Sequence, residues 1–329
     1  MAKPKRVRLY SKKSWDNVLE DNKLLLEDFL LEAEANGIKP STRYQYFSDI
    51  RGFFCYLHDK ADNKSILDLD RRFFRNFYIK YKRAGASNAR INRHQASLRE
   101  LLQYAYENND YYDYEDNQMG TIKGLPKEAV REIVFLSNEE VQMIIDFYEK
   151  EGDLQRALLF SLAYDSGGRR NEIYQVEKHG FEDIDNYQTN IVVGKRGKEF
   201  TLKYSYETAK LAKDYLSERG EDDIDSLWVT EDVDGNRIQV SYSTLYYWVI
   251  SSRDILPEYK EFNAHSFRHS CLENLSNGTH RMLNELGADK LDLKTLQALA
   301  NHNSSETTEL YLIDRSDEEL LNMFESARK

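Results

Sequence analysis

The sequence predicts a mostly α-helical protein built as two domains, an all-helical front and an α+β back that carries a small antiparallel sheet. Three observations lead there. From about residue 22 to residue 109 apolar side chains recur at helical spacing. A polar, acidic, tyrosine-rich stretch containing ENNDYYDYED then breaks the pattern over residues 110–133. Beyond it, two β-like runs, TNIVVGK and EFTLKYS, flank a short basic turn inside an otherwise helical segment. A chain of 329 residues is long enough for two domains, each with its own core.

The elements follow in order. Residues 1–20, with MAKPKRVRLYSKK at the start, read as a flexible basic arm. Residues 21–110 read as a compact unit of helices. NKLLLEDFLLEAEANGI is amphipathic and stops at Gly37. Pro40-Ser41-Thr42 opens the next helix, with Ser41 or Thr42 as its cap. DLDRRFFRNFYIKYKR and SNARINRHQASLRELLQYAYEN complete the unit. Residues 111–133 read as a linker that ends near Gly124 and Pro126. Residues 134–329 form the second domain, where Ser137-x-x-Glu140 is a capping-box signature and LQRALLFSLAYDSG is a buried helix. SLWVTED reads as a further strand, and the rest is helical.

Composition excludes several classes. Hydrophobic residues make up 40% and charged residues 31%, as in an ordinary folded protein. No apolar run approaches the roughly 20 residues of a membrane span. The basic N-terminus lacks the apolar core of a secretory signal, and Cys55 and Cys271 are far apart, so the expected location is cytoplasmic. The net charge of −11, taken as a sum, argues against nucleic acid, but its distribution argues for it. Residues 71–99 hold nine basic side chains and no acidic one, and the first thirteen residues add six more. Such a bipolar molecule can meet DNA on one face.

The last sixty-five residues carry the densest chemistry: HSFRHS, with His265 and Arg268, then His302, and Tyr311 nine residues later. Upstream lie Arg169 in SGGRRNEI and Lys195 in GKRGKEF. Guanidinium forks match the charged oxygens of a phosphoryl transition state. A tyrosine can form a covalent phosphoester, imidazoles move protons near neutral pH, and a lysine can protonate a leaving alkoxide. This is an inventory for breaking a phosphodiester with no metal or other cofactor. His265 and His269 are spaced i,i+4, but no HExxH glutamate or cysteine pair accompanies them as a metal site would require.

The order and spacing resemble the tyrosine recombinases, the family of phage integrases, Xer proteins and Cre, over nearly the whole chain. SGGRRNEI resembles the first-arginine box and puts that arginine on Arg169, with Glu172 three residues on. IVVGKRGKEFTL resembles the hairpin bearing the catalytic lysine, here Lys195. HSFRHS is similar to the HxxRH box, and QALANHNSSETTELYL to the LGHxxxxxTxxY box. The resemblance gives Arg169, Arg268 and His302 the phosphate, His265 the proton of Tyr311, Lys195 the leaving 5′ oxygen, and His269 a structural part. Two departures stand out: Ala300-Asn301 replaces the usual Leu-Gly before His302, and SNGTHRMLNELGADKLDLKT lengthens the segment between Arg268 and His302. Within that insert, His280 and Arg281 are expected to face DNA or a neighbouring subunit.

The resemblance implies a SAM-like helical core-binding domain ahead of an α+β catalytic domain. Arg43, Tyr44, Arg90, Asn92, Arg93 and His94 are the expected DNA contacts of the first. It also implies double-stranded DNA recombination sites as partners, a homotetramer on two sites from a free monomer or dimer, and room for an accessory DNA-bending protein. DRSDEELLNMFESARK would be a terminal docking helix. The implied activity is site-specific recombination through a 3′-phosphotyrosyl link, independent of metal and ATP, in the integration or excision of a mobile element and on nucleoid DNA. Xer-like multimer resolution, type IB topoisomerase-like relaxation and a non-catalytic DNA-binding scaffold are the alternatives.

Overall fold

The computed structural model describes residues 7–126, 128 and 133–313, and the chain divides into two compact units, residues 1–132 and 133–329. In the first, helices α1 (Lys12–Asp16), α2 (Glu20–Ala35), α3 (Pro40–Lys60), α4 (Arg71–Arg83), α5 (Asn88–Glu107) and the one-turn α6 (Asn109–Tyr112) surround an aromatic core. Phe53 stacks on Phe74 at 5.8 Å between centroids and meets Phe77 edge-on at 4.9 Å, arrangements that add to simple burial. Asp70 and Ser87 cap α4 and α5 by accepting the N–H groups of Phe73 and Arg90. At α3 the cap differs from expectation. Pro40 is already helical, and Lys39 precedes it without a side-chain bond. Proline's fixed φ suits the first helical position and moves the boundary upstream of Ser41.

Two stretches that looked free in sequence are built into this unit. Residues 7–20 do not form a loose arm. Val7, Leu9 and Trp15 pack on the core, Ser14 donates to Asp59 Oδ2 at 3.0 Å, and the Arg51 guanidinium lies 3.8 Å from the Tyr10 ring and 4.6 Å from Phe47. Apolar side chains interleaved with basic ones bury one edge of the strap and leave the charges outward; residues 1–6 lie outside the described part. The linker is likewise anchored. Tyr114, Met119 and Ile122 are buried in the same core. Asn92 clasps Leu125, donating to its carbonyl at 2.8 Å and accepting its N–H at 2.7 Å, and Asn88 holds the Pro126 carbonyl at 2.9 Å.

The second unit starts with α7 (Asn138–Lys150), whose capping box joins Ser137 and Glu140. Helices α8 (Leu154–Ser166) and α9 (Arg170–Tyr174) lead into the antiparallel pair β1 (Gln188–Val193) and β2 (Glu199–Lys203). Then come α10 (Tyr206–Arg219), a second antiparallel pair β3 (Val229–Glu231) and β4 (Arg237–Gln239), α11 (Tyr242–Ser251), α12 (Ala264–Asn277), α13 (Met282–Leu286), α14 (Leu293–Leu299) and α15 (Ser305–Glu309). Strand β4 goes beyond the sequence reading: all three of its side chains are exposed, so no apolar alternation announces it. Helix α8 is the hub, with Leu158, Phe160 and Leu162 buried in one core with Phe267, Leu272, Ala209 and Trp228.

The insert also turns inward rather than outward. His280 stacks on Tyr164 with centroids 4.1 Å apart, and Arg281 donates from Nε to Asp165 Oδ1 at 2.9 Å and from Nη2 to Ser161 Oγ at 2.7 Å. Asp165 is fully buried at the end of α8 and accepts further bonds from Ser205 and Thr208. Burial alone would raise its pKa, but Arg281, His280 and the hydroxyls hold it below the ordinary carboxylate value. A buried carboxylate needs these donors, which is why Arg281 cannot face outward. Residues 314–329, the expected docking helix, lie outside the described residues.

Candidate active site

Four separate segments converge on the polypeptide between α8 and α9. Helix α8 ends at Gly167, whose φ of +56° is left-handed. A Cβ there would stand 3.2 Å from Cys271 Sγ, so glycine serves both the turn and the close approach of α12. The turn presents Arg169 at the start of α9. Its Nη1 donates to Glu172 Oε1 at 2.8 Å, and its backbone N–H donates to Glu172 Oε2 at 2.8 Å. Glu172 is buried, whereas the Arg169 side chain keeps 31% of its surface exposed. The carboxylate therefore fixes the arginine's base and leaves part of the fork open.

Arg268 is the opposite case, only 1% exposed. Asn263 caps α12 by accepting the His265 N–H at 2.9 Å, which starts the helix at the right residue to bring His265 and Arg268 onto one face. Arg268 Nη1 donates to Gly167 O at 2.6 Å, and Nη2 donates to Ala300 O and, at 2.7 Å, to His302 Nε2. Its Nε finds no partner among the described residues. Since a guanidinium only donates, His302 accepts at Nε2, leaving Nδ1 to donate to Thr308 Oγ1 at 2.9 Å. Burial and the charges of Arg268 and Arg169 push the His302 pKa down to about 3, consistent with that neutral form.

Tyr311 is mostly buried in the middle of this group. Its hydroxyl is 3.1 Å from His265 Nε2, its ring stacks on His269 at 4.3 Å, and the Arg268 guanidinium lies 5.3 Å from the ring centroid. Desolvation and then the charges of Arg268 and Arg169 lower the His265 pKa; His269, crowded by protein and by His265, is pushed to about 4. The imidazole beside the phenol is thus held as a proton acceptor.

The structure brings Arg169, His265, Arg268, His302 and Tyr311 together and leaves Lys195 outside the cluster. Lys195 is exposed in a single 3-10 turn between β1 and β2 and makes no hydrogen bond or ion pair among the described residues. Its hairpin is nevertheless moored to the site. Gly194 abuts Glu172, where a Cβ would stand 3.3 Å from Oε1, and Gln175 exchanges two hydrogen bonds with the Val193 backbone at 2.9 and 3.0 Å. Ala300-Asn301 preserves a tight turn: Asn301 adopts φ +52°, which asparagine tolerates, and Ala300 supplies a carbonyl to Arg268. Sequence reasoning missed Gln175 and gave Thr308, the threonine of the last box, no role; Asn263 was legible as a cap two residues before His265.

The expected DNA contacts of the first unit divide differently. Tyr44 is 68% exposed and open to solvent. Arg43 pairs with Glu34 at 2.6 Å, and Arg93 binds Asp49 through Nε and Nη2 at 3.1 and 2.9 Å while staying half-exposed. Asn92 is occupied by Leu125. His94 is a correction: at 2% exposure it belongs to the core, bonded through Nδ1 to Tyr78 Oη at 3.1 Å. Its position on the Ile91–Leu98 side of α5 places it there. Arg90 lies over the Tyr81 ring at 5.5 Å.

Comparison with known proteins agrees in both units. Residues 24–109 match the N-terminal SAM-like domain of phage integrases, and residues 134–318 match the phage integrase family itself. The SPbeta prophage-derived recombinase-like protein YomM of Bacillus subtilis (strain 168) is 25% identical over 78% of this chain and 79% of its own. The tyrosine recombinase XerC of Rickettsia bellii (strain RML369-C) is 24% identical over 82% of this chain and 85% of its own. Among solved structures, a lambda integrase tetramer bound to a Holliday junction superposes with a TM-score of 0.65 at 16% identity, covering 89% of this chain and 77% of that one. With the family match spanning more than half its length, the chain belongs to the phage integrase family of tyrosine recombinases.

Proposed function

We propose that this protein cleaves and rejoins DNA at specific sites through a covalent bond between Tyr311 and a 3′ phosphate, in the movement of a mobile element. One observation carries the reading: the Tyr311 hydroxyl is 3.1 Å from His265 Nε2, beside the buried guanidinium of Arg268. Tyr311 Oη attacks the scissile phosphorus, and its proton passes to His265. The bond from phosphorus to the 5′ oxygen breaks, and Lys195 protonates that oxygen as it leaves. Arg169 and Arg268, the latter with a buried Nε that has no partner among the described residues, hold the charge that develops on the non-bridging oxygens. His302 accepts from Arg268 in the free protein, so it donates to phosphate only after taking up a proton. A nearby phosphoryl charge favours that step. A 5′ hydroxyl of the partner strand then reverses the chemistry on Tyr311.

The lambda integrase tetramer on a Holliday junction supports DNA as partner and a tetrameric synapse as the working assembly, acting in the cytoplasm on nucleoid DNA. The prophage origin in the name of YomM supports a mobile element. The XerC relative supports a second reading, multimer resolution, and a cell assay with paired sites separates the two. The central test uses DNA flanking the protein's own gene, nicked so that the leaving 5′ fragment diffuses away. A protein–DNA adduct on a denaturing gel is expected with the native chain and absent with Tyr311→Phe. An adduct that persists in the variant would sink the assignment.

A further inference from the structure

The short helix α9 is bounded by two residues that face different parts of the site: Arg169 is its N-cap and Gln175 its C-cap. Both N–H groups and the oxygen of the Gln175 amide are engaged. Nε2 donates to Asn171 O at 2.7 Å and to Val193 O at 3.0 Å, while Oε1 accepts the Val193 N–H at 2.9 Å. Turning the amide over would set its oxygen against two carbonyls and its nitrogen against an N–H, so only one orientation serves. The Gln175 backbone carbonyl accepts a further bond from Asn190 Nδ2 at 3.1 Å, again from β1.

Val193 is the last residue of β1 and stands two before Lys195. On the inner edge the hairpin closes on itself, where the Gly194 N–H donates to Lys198 O at 2.8 Å. On the outer edge the Gln175 amide stands where a neighbouring strand would be and satisfies the Val193 backbone. The base of the turn is therefore gripped from both sides, and the outer grip is built on the helix that begins at Arg169. Glu172, which fixes Arg169, lies on that same helix against Gly194. A lysine stem supplies reach, but what it reaches depends on where its base is held.

We infer that Gln175 is a positioning residue for proton delivery: it holds the base of the Lys195 turn in a fixed place relative to Arg169, which presupposes the proton step proposed above. In that step the bond from phosphorus to the 5′ oxygen breaks, and Lys195 Nζ gives the oxygen a proton and is left as a neutral amine. The test compares single-turnover adduct rates of the native chain, Gln175→Leu, Lys195→Ala and the double variant. Each is run on nicked DNA with oxygen or sulfur as the leaving atom, since sulfur departs without a proton. Gln175→Leu should slow cleavage of ordinary DNA about tenfold or more, because misplacing a group by about 1 Å can cost about 10²-fold. It should match the native chain on the sulfur substrate, and it should slow Lys195→Ala no further. Its Tm should hold, because Val193 is exposed and water can take over its N–H and C=O. Gln175→Met, unbranched and of similar length, should give the same rates, so a packing fault peculiar to leucine cannot pass for the effect. An equal loss on both substrates in both glutamine variants, or an additive loss in the double variant, would overturn the positioning role. Native rates in both glutamine variants, beside a slow Lys195→Ala that sulfur rescues, would overturn this inference alone. A native rate in Lys195→Ala, or no adduct with the native chain, would bring down the reading above and this inference with it.

Discussion

Arg268 and Lys195 are both cations proposed to act on one phosphate, yet the protein holds them in opposite ways. Arg268 is enclosed, with donors committed to Gly167, Ala300 and His302 from two other segments. Lys195 projects from a hairpin turn with no hydrogen bond or ion pair among the described residues, although the strands beneath are tied to α9 through Gln175. The difference follows from the two jobs. Stabilising charge requires donors fixed before the reaction, since reorganising them would cost what they supply. Delivering a proton to a departing oxygen requires reach, which a flexible four-carbon stem on an exposed turn retains.

Arg268 is where this contrast is most severely tested. Arg268→Ala removes the charge and strands the Gly167 and Ala300 carbonyls, so the adduct-forming rate should fall by about 10³ or more and Tm should drop with it. A fall in rate with an unchanged Tm would mean that the enclosure is not structural. Lys195→Ala should slow cleavage by about 10²–10⁴ with no change in Tm. A substrate whose leaving oxygen is replaced by sulfur, which departs without a proton, should restore most of the rate. Failure of that rescue would remove Lys195 from the proton step. The smallest effect is on stability against pH. His302 and His269 have folded pKa values near 3 and 4, below their unfolded value of about 6.5. The unfolded chain thus binds more protons, and stability falls as pH drops from about 6.5 towards 4. His302→Asn should flatten part of that slope in acid melts, whereas Lys195→Ala should leave it unchanged.

Much of the site was legible because its residues lie in short local patterns. The i,i+3 pair His265 and Arg268, the Ser-Gly-Gly turn before Arg169 and the nine-residue step from His302 to Tyr311 are each contained within a short stretch of chain. What was illegible depends on contacts between distant segments. Gln175 meets Val193, eighteen residues on, only across a β-strand edge. The outward reading of His280 and Arg281 failed for the same reason, since Asp165, more than a hundred residues earlier in sequence, draws Arg281 inward. His94 is different. It falls on the stripe formed by Ile91, Leu98 and Leu101, so its burial was readable from periodicity alone.

The pairing of Asp165 with Arg281 has a historical consequence. The segment that lengthens this chain between Arg268 and His302 supplies the counter-charge for a carboxylate four residues before Arg169. Losing either partner alone leaves a buried charge uncompensated, a defect of about 3–5 kcal/mol. An insertion that began as surplus would from then on be irreversible: a descendant could shed it only by replacing Asp165 in the same step. Chains lacking the insert should therefore carry an uncharged residue at that position.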